Sequence, residues 1–175
     1  MNKLFVLLIT LCTFCKLQAQ NQDESNYFGN NEIKLNVLYT LIGLPEVTYE
    51  RILDEESAIG ISIATAIDED ITLKFIASPY YRVYFGKKRA AGFFLEGNVS
   101  FLSIEDDLEY DSLLMGTFYK EENKLGYGVG IAVGGKFMTR SNWVAELYTG
   151  VGRNFVDSEN YQFYPRAGIT IGKRF

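Results

Sequence analysis

The chain has no histidine, only two cysteines and only three prolines among its 175 residues. Without histidine there is no Ser-His or Cys-His dyad and no imidazole ligand for zinc, so the usual hydrolase and zinc arrangements are excluded. Both cysteines, Cys12 and Cys15, fall near the start of the chain. Downstream of them no disulfide and no thiolate metal site can form. Apolar runs are also short: none beyond residue 20 reaches the roughly 18 residues expected of a membrane-spanning helix. Basic residues are outnumbered, 17 against 22 acidic, which argues against nucleic acid, whose phosphates need basic patches.

The first twenty residues read as a processing segment. Met1-Asn2-Lys3 is a basic start and Leu4 to Phe14 an apolar run too short to span a bilayer. Leu17-Gln18-Ala19 then offers a small-residue cleavage site that would leave Gln20 first. Phe14 before Cys15 is bulky where lipoprotein signals carry a small residue, so Cys15 is read as part of the leader. Cleavage after Ala19 removes Lys3 and Lys16 from the 17 basic residues, leaving 15 against 22 acidic, net −7. Residues 20–31 then form a flexible N-terminal segment, and 32–175 are one domain by length.

What the domain does contain is alternation. Eight segments place apolar side chains on one face and Gly, Ser, Asn, Glu or Lys on the other, the period of a strand. They run at about 32–42, 46–53, 58–67, 71–85, 92–103, 124–138, 143–154 and 164–175. The third is the cleanest, with Ile59, Ile61, Ile63 and Ile67 against Ala58, Gly60, Ser62 and Ala64. Glycines 126, 128, 130 and 134 follow period two and precede no helix, so they mark neither a helix-packing face nor a phosphate loop. Pro79 lacks a donor and is expected at a bulge or where no ladder bond is needed.

Alternating strands with an apolar face are what a barrel in lipid shows, its polar face turned to the lumen. Connection lengths agree. The links after strands two, four and six are short (54–57, 86–91, 139–142), and both long ones, 104–123 and 155–163, follow odd strands. This is the pattern of a barrel with both termini and short turns on the periplasmic side. The fold class expected is an all-β, eight-stranded antiparallel up-and-down transmembrane barrel. Aromatic residues near strand ends (Tyr39, Tyr49, Phe85, Phe93, Trp143, Tyr164, Phe175) would form interfacial belts.

In the Leu17-Gln18-Ala19-Gln20 junction, the Ser78-Pro79-Tyr80-Tyr81-Arg82-Val83-Tyr84-Phe85 strand and the Gly168-Ile169-Thr170-Ile171-Gly172-Lys173-Arg174-Phe175 end, the chain resembles small eight-stranded, OmpA-like outer-membrane proteins. It looks especially like uncharacterised Bacteroidota families of such barrels. The resemblance covers nearly all of the chain after the leader and implies an outer-membrane location in a Gram-negative bacterium. It also implies that Phe175 serves as the signal read by the barrel-insertion machinery, although Lys173 stands where an aromatic is often found.

By parity Lys34, Glu46, Glu50, Lys74, Arg82, Glu96, Glu146 and Arg166 point inward. An eight-stranded barrel is just wide enough for side chains to fill it, so these are expected to form a structural charge network plugging the lumen. Glu105, Asp106, Asp107, Glu109 and Asp111 lack the spacing of a Ca²⁺ loop. The expectation is a monomeric, non-enzymatic barrel in contact with outer-membrane lipid, without metal or cofactor, whose loops 104–123 and 155–163 carry any recognition of a surface partner. Two alternatives stay open: a soluble exported lipocalin-like barrel holding a small apolar ligand, and a membrane-barrel enzyme working through inward carboxylates such as Glu96 and Glu146.

Overall fold

The computed structural model describes residues 29–68, 71–112, 116–155 and 162–175, and over 105–124 the backbone alone. The expected leader, with its expected cleavage site at Ala19 and Gln20, and most of the segment 20–31 lie outside the described residues. So do the acidic side chains considered for Ca²⁺.

Eight strands close into a barrel: β1 (Asn31–Asn36), β2 (Glu46–Ile52), β3 (Ser57–Thr65), β4 (Leu73–Phe85), β5 (Gly92–Ser112), β6 (Gly116–Met138), β7 (Trp143–Asn154) and β8 (Phe163–Arg174). Each runs antiparallel to the next, and β8 returns to pair with β1. The alternation in the sequence becomes the two faces of this sheet. Ile59, Ile61 and Ile63 lie on the exposed outside, while Ala58, Ser62 and Ala64 are buried inside. The start of β1, the end of β8 and the short connections 53–56, 86–91 and 139–142 share one rim. At that rim Phe85, Phe93, Phe137, Trp143 and Phe175 stand exposed. Tyr164 does not join them. It is buried in the lumen, because its position in β8 has the inward parity of Arg166 and Gly168.

The first strand departs from expectation. It stops at Asn36, and Val37–Leu41 form a one-turn helix, α1, in place of more strand. The cause is local: the Asn36 carboxamide oxygen accepts from the Tyr39 N–H at 3.3 Å, and Thr40 Oγ1 donates to the Asn36 carbonyl at 2.7 Å. Capping of this kind competes with strand pairing. The β1–β8 ladder therefore ends at Asn36↔Thr170, and the β8 edge beyond it is satisfied by side chains. Tyr39 OH donates to the Pro165 carbonyl (3.2 Å) and accepts from the Ala167 N–H (3.4 Å), while Asn36 Nδ2 donates to the Ala167 carbonyl (3.2 Å). Pro165 has no N–H to leave unpaired at this edge, which suits a position without a strand partner. Replacing Asn36 by alanine removes both cap and seam bonds and is expected to cost about 2 kcal/mol. Urea titration of the refolded barrel in micelles measures this, and an unchanged midpoint would show that α1 is held by something else.

Pro79 sits within β4, paired with Ile61 of β3. On the β5 side the ladder steps from Ala77↔Phe101 to Tyr80↔Asn98 in unchanged register, so the proline falls at a gap in bonding; the irregularity lies instead between Leu73 and Phe75. The expected loop at 104–123 is mostly strand. β5 and β6 stay in register from Ile104↔Lys124 to Ser112↔Gly116, beyond the last β4 partner at Ile104 and the last β7 partner at Gly128. Tyr110, Thr117, Phe118 and Tyr119 are β-favouring residue types, so a hairpin already aligned by the barrel continues pairing. Residues 105–112 carry it about 26 Å further at ~3.3 Å each.

Candidate functional site

The interior of the barrel holds the densest chemistry in the molecule. Among the described residues its buried charged side chains are Glu32, Glu46, Glu50, Glu96 and Glu146 against Lys34, Arg82, Lys136, Arg166 and Arg174, five of each sign. They come from seven of the eight strands, and none is adjacent in sequence to another. Taking a charge out of water costs several kcal/mol unless partners replace the solvent, so the arrangement of partners decides whether such an interior is tenable.

The charges alternate in sign from rim to rim. At the short-turn rim Arg174 donates through Nη1 and Nη2 to the carbonyls of Arg89 and Ala90 (3.1 and 3.0 Å) and through Nε to Glu32 (2.8 Å). Those two carbonyls belong to the 86–91 turn, which folds back over the lumen, Ala90 and Ala91 being buried. Glu32 also meets Lys136 at 2.9 Å and Lys34 at 3.5 Å. Lys34 reaches Glu50 and Glu146, each at 2.7 Å. Lys136 reaches Glu146 at 3.3 Å and also donates to Glu50. Arg82 bridges Glu50 (3.1 Å), Glu146 (3.0 Å) and Glu96 (2.7 Å). Arg166 then links Glu96 (2.8 Å) to Glu46 (3.4 Å).

Glu50 is the hub of this ladder. Its two oxygens accept from Lys34, Lys136 and Arg82 and from the hydroxyls of Tyr80 and Tyr84, both at 2.8 Å. Tyr148 donates likewise to Glu46 at 2.9 Å. Rings also stack on the cations: the Arg82 guanidinium carbon lies 4.2 Å from the Phe94 centroid and 4.5 Å from that of Tyr80. Space for these rings comes from glycine. Tyr80 pairs directly with Gly60, Tyr148 with Gly168 and Tyr164 with Gly152, and a Cβ at any of the three glycines would fall within 2.5 Å of the ring opposite. The small residues on the polar face of each strand are thus the floor on which the aromatic side chains lie.

Apolar clusters flank the ladder. Ile52, Ala58, Ala90 and Phe94 pack towards the short-turn rim, and Leu44, Ala64, Ile76, Leu102 and Ile104 towards the opposite rim. Among the described residues, two buried nitrogens lack a hydrogen-bond partner, Arg89 Nε and Arg166 Nη2. Carboxylate oxygens of Glu32, Glu50 and Glu146 converge within 4.8 Å of one another. The ammonium groups of Lys34 and Lys136 already lie among them, so the donor set fits lysine and leaves no room of its own for a metal ion. Outside the lumen, Asp54 in the β2–β3 turn accepts from Ser57 Oγ at 2.6 Å and the Glu56 N–H at 2.8 Å, which holds its carboxyl below the usual range.

Of the eight lumen residues expected from parity, the structure brings seven together: Lys34, Glu46, Glu50, Arg82, Glu96, Glu146 and Arg166. Lys74 has the right parity but not the depth. It is half-buried near the outer end of β4, beside the irregularity at Leu73, where the lumen has given way to Ile76 and Leu102. Glu32, Lys136 and Arg174 were missed although they share the parity of Lys34, Gly134 and Thr170, and following each strand to its last residue would have found them. The tyrosine donors share the inward parity of Arg82 and Glu146, so the period of two places them in the lumen but does not say which carboxylate each one meets.

A closed eight-stranded antiparallel up-and-down barrel with charges inside and apolar residues outside is the class these observations define. It is similar to the crystal structure of the N-terminal beta-barrel domain of Pseudomonas aeruginosa OprF, with a TM-score of 0.57 at 15% identity over 84% of this chain and 98% of that one. By sequence the chain belongs to the family described as Protein of unknown function (DUF3575), whose model matches residues 4–173. No curated protein matches it.

Proposed function

We propose that this protein is a non-enzymatic outer-membrane barrel whose lumen is a charge-balanced structural plug, with a structural or surface-interaction role carried by the end opposite the short turns. The observation behind this reading is the inversion of polarity. Ile33, Val47, Ile61, Leu95, Val99, Ile131, Leu147 and Ile169 are exposed around the barrel while ten charged side chains are buried within it. In lipid a sheet must close to satisfy its backbone, and here it is closed. A soluble barrel binding an apolar ligand would need an apolar chamber, and this interior is occupied by ion pairs. A carboxylate enzyme would need a free acid or base, whereas Glu96 and Glu146 are each held by at least two donors.

The reading is tested by outer-membrane fractionation with heat-modifiable gel migration, and by conductance across a planar bilayer. A folded, heat-modifiable species that conducts no measurable salt current is expected. Release into the soluble fraction would overturn the membrane assignment, and a steady open conductance would overturn the plug.

A further inference from the structure

The outer face of the barrel is not uniformly convex. A concavity of about 690 Å³ crosses β2 to β6, lined by Arg51, Ile59, Pro79, Tyr81, Gly97 and Val99 among others. Its depth has a simple origin. Gly97 has no side chain where its neighbours on the outer face of β5, Leu95 and Val99, project, and a Cβ there would meet nothing within 4 Å.

The groove follows one row of cross-strand partners, Arg51↔Ile59, Ile59↔Tyr81 and Tyr81↔Gly97. Arg51 is one residue from the short-turn end of β2, which ends at Ile52, whereas Gly97 is five residues in from the start of β5 at Gly92. The row therefore starts at the rim and climbs obliquely into the apolar belt. Three strand spacings at ~4.8 Å make it about 14 Å long.

Its rim end is charged and held in place. Asn31 Oδ1 accepts from Arg51 Nη1 at 2.9 Å and from Tyr49 OH at 2.7 Å, which fixes the guanidinium beside the groove mouth while it stays exposed. A cation at the rim joined to an apolar trough leading into the belt is complementary to one kind of molecule, an anionic head with a hydrocarbon tail.

We propose that this groove binds an anionic glycerophospholipid of the surrounding leaflet, its phosphate on Arg51 and one acyl chain lying over Ile59 and Tyr81 into the dent at Gly97 and Pro79. The site rests on the membrane-barrel reading. It differs from general lipid contact in having one position and a headgroup preference. Native mass spectrometry of the full chain refolded in micelles with phosphatidylglycerol or phosphatidylcholine tests it, with Arg51→Gln, Gly97→Leu and, as a rim cation away from the groove, Arg140→Gln.

One phosphatidylglycerol is expected to stay bound to the unaltered protein in preference to phosphatidylcholine. Arg51→Gln lowers its retention about fivefold, the effect of one cation near a membrane surface. Gly97→Leu fills the dent and lowers retention of the same lipid, while Arg140→Gln leaves it unchanged. Equal losses from Arg51→Gln and Arg140→Gln would reduce the effect to general rim charge and overturn the site. A heat-modifiable barrel that retains neither lipid overturns the site alone. A chain that stays water-soluble without heat-modifiable migration overturns the membrane reading and the site together.

Discussion

Replacing Glu50 by glutamine is expected to cost the barrel about 3–5 kcal/mol, the range for breaking a buried ion pair from one side. That is a large share of the roughly 5–15 kcal/mol that holds a domain folded. The reason lies in the count and in the wiring. Among the described residues the interior carries five carboxylates and five cations, so loss of one negative charge leaves a buried cation of this set without compensation. The residue lost is also the one that accepts from Lys34, Lys136, Arg82, Tyr80 and Tyr84, and an amide supplies a single oxygen for five donors. Urea titration followed by the fluorescence of Trp143, the only tryptophan, measures the loss. Pairing Glu50→Gln with Lys136→Met restores neutrality and is expected to be less damaging than the sum of the two changes, a coupling that a double-mutant cycle isolates. Glu55→Gln serves as the comparison. That residue is exposed and 3.6 Å from Arg89, a surface pair worth at most ~1 kcal/mol. Equal losses at Glu50 and Glu55 would mean that the ladder is incidental to stability.

Gly150→Ala is expected to destabilise the barrel by about 1–3 kcal/mol or more, the scale of overpacking, whereas Gly97→Ala leaves it within about 0.5 kcal/mol, as surface changes do. Both glycines sit in strands, and the two-residue period puts Gly150 on the inner face with Glu146 and Tyr148 and Gly97 on the outer face with Leu95 and Val99, while the room at each is a property of the fold. At Gly150 a Cβ would lie 2.2 Å from the Ile131 carbonyl oxygen and 2.6 Å from the Cα of Ala132, its partner across the β6–β7 ladder. Those are backbone atoms, so relief requires two strands to move apart. At Gly97 the same atom points into open space. Ala132→Gly in the Gly150→Ala background removes a further contact of 2.6 Å with the Ala132 Cβ and leaves those with the Ile131 carbonyl and the residue-132 Cα, so only partial recovery is expected. Urea midpoints of the refolded variants decide the matter, and equal stability of Gly150→Ala and Gly97→Ala would remove the steric account.

Much of this barrel was legible because a strand states its orientation in its own residues. Successive side chains point to opposite faces, so the isoleucines of β3 and the glycines of β6 declare their sides without reference to any other strand. The shortness of the connections after β2, β4 and β6 showed which ends share a rim. Two features escaped this reasoning for different reasons. In β1 the pattern continued past Asn36, but the carboxamide of Asn36 offered its own chain a cap, and a local bond outcompeted a pairing that needed β8. Between β5 and β6 the composition looked like a loop, yet a hairpin whose register is set lower down goes on pairing at little further entropic cost.

The pairing inside the lumen is of another kind. Parity places Lys34 and Glu146 on the inner face, but they are 112 residues apart, and only closure of the sheet in one register brings them to 2.7 Å. The same closure sets the three cations and two hydroxyls on Glu50, lays Tyr148 over Gly168 and opens the oblique trough from Arg51 to Gly97. Which face each residue occupies follows from the order of amino acids alone, because an extended backbone repeats every two residues. Which residues meet depends on closure of the barrel, because distance across it is set by the register of every strand between them.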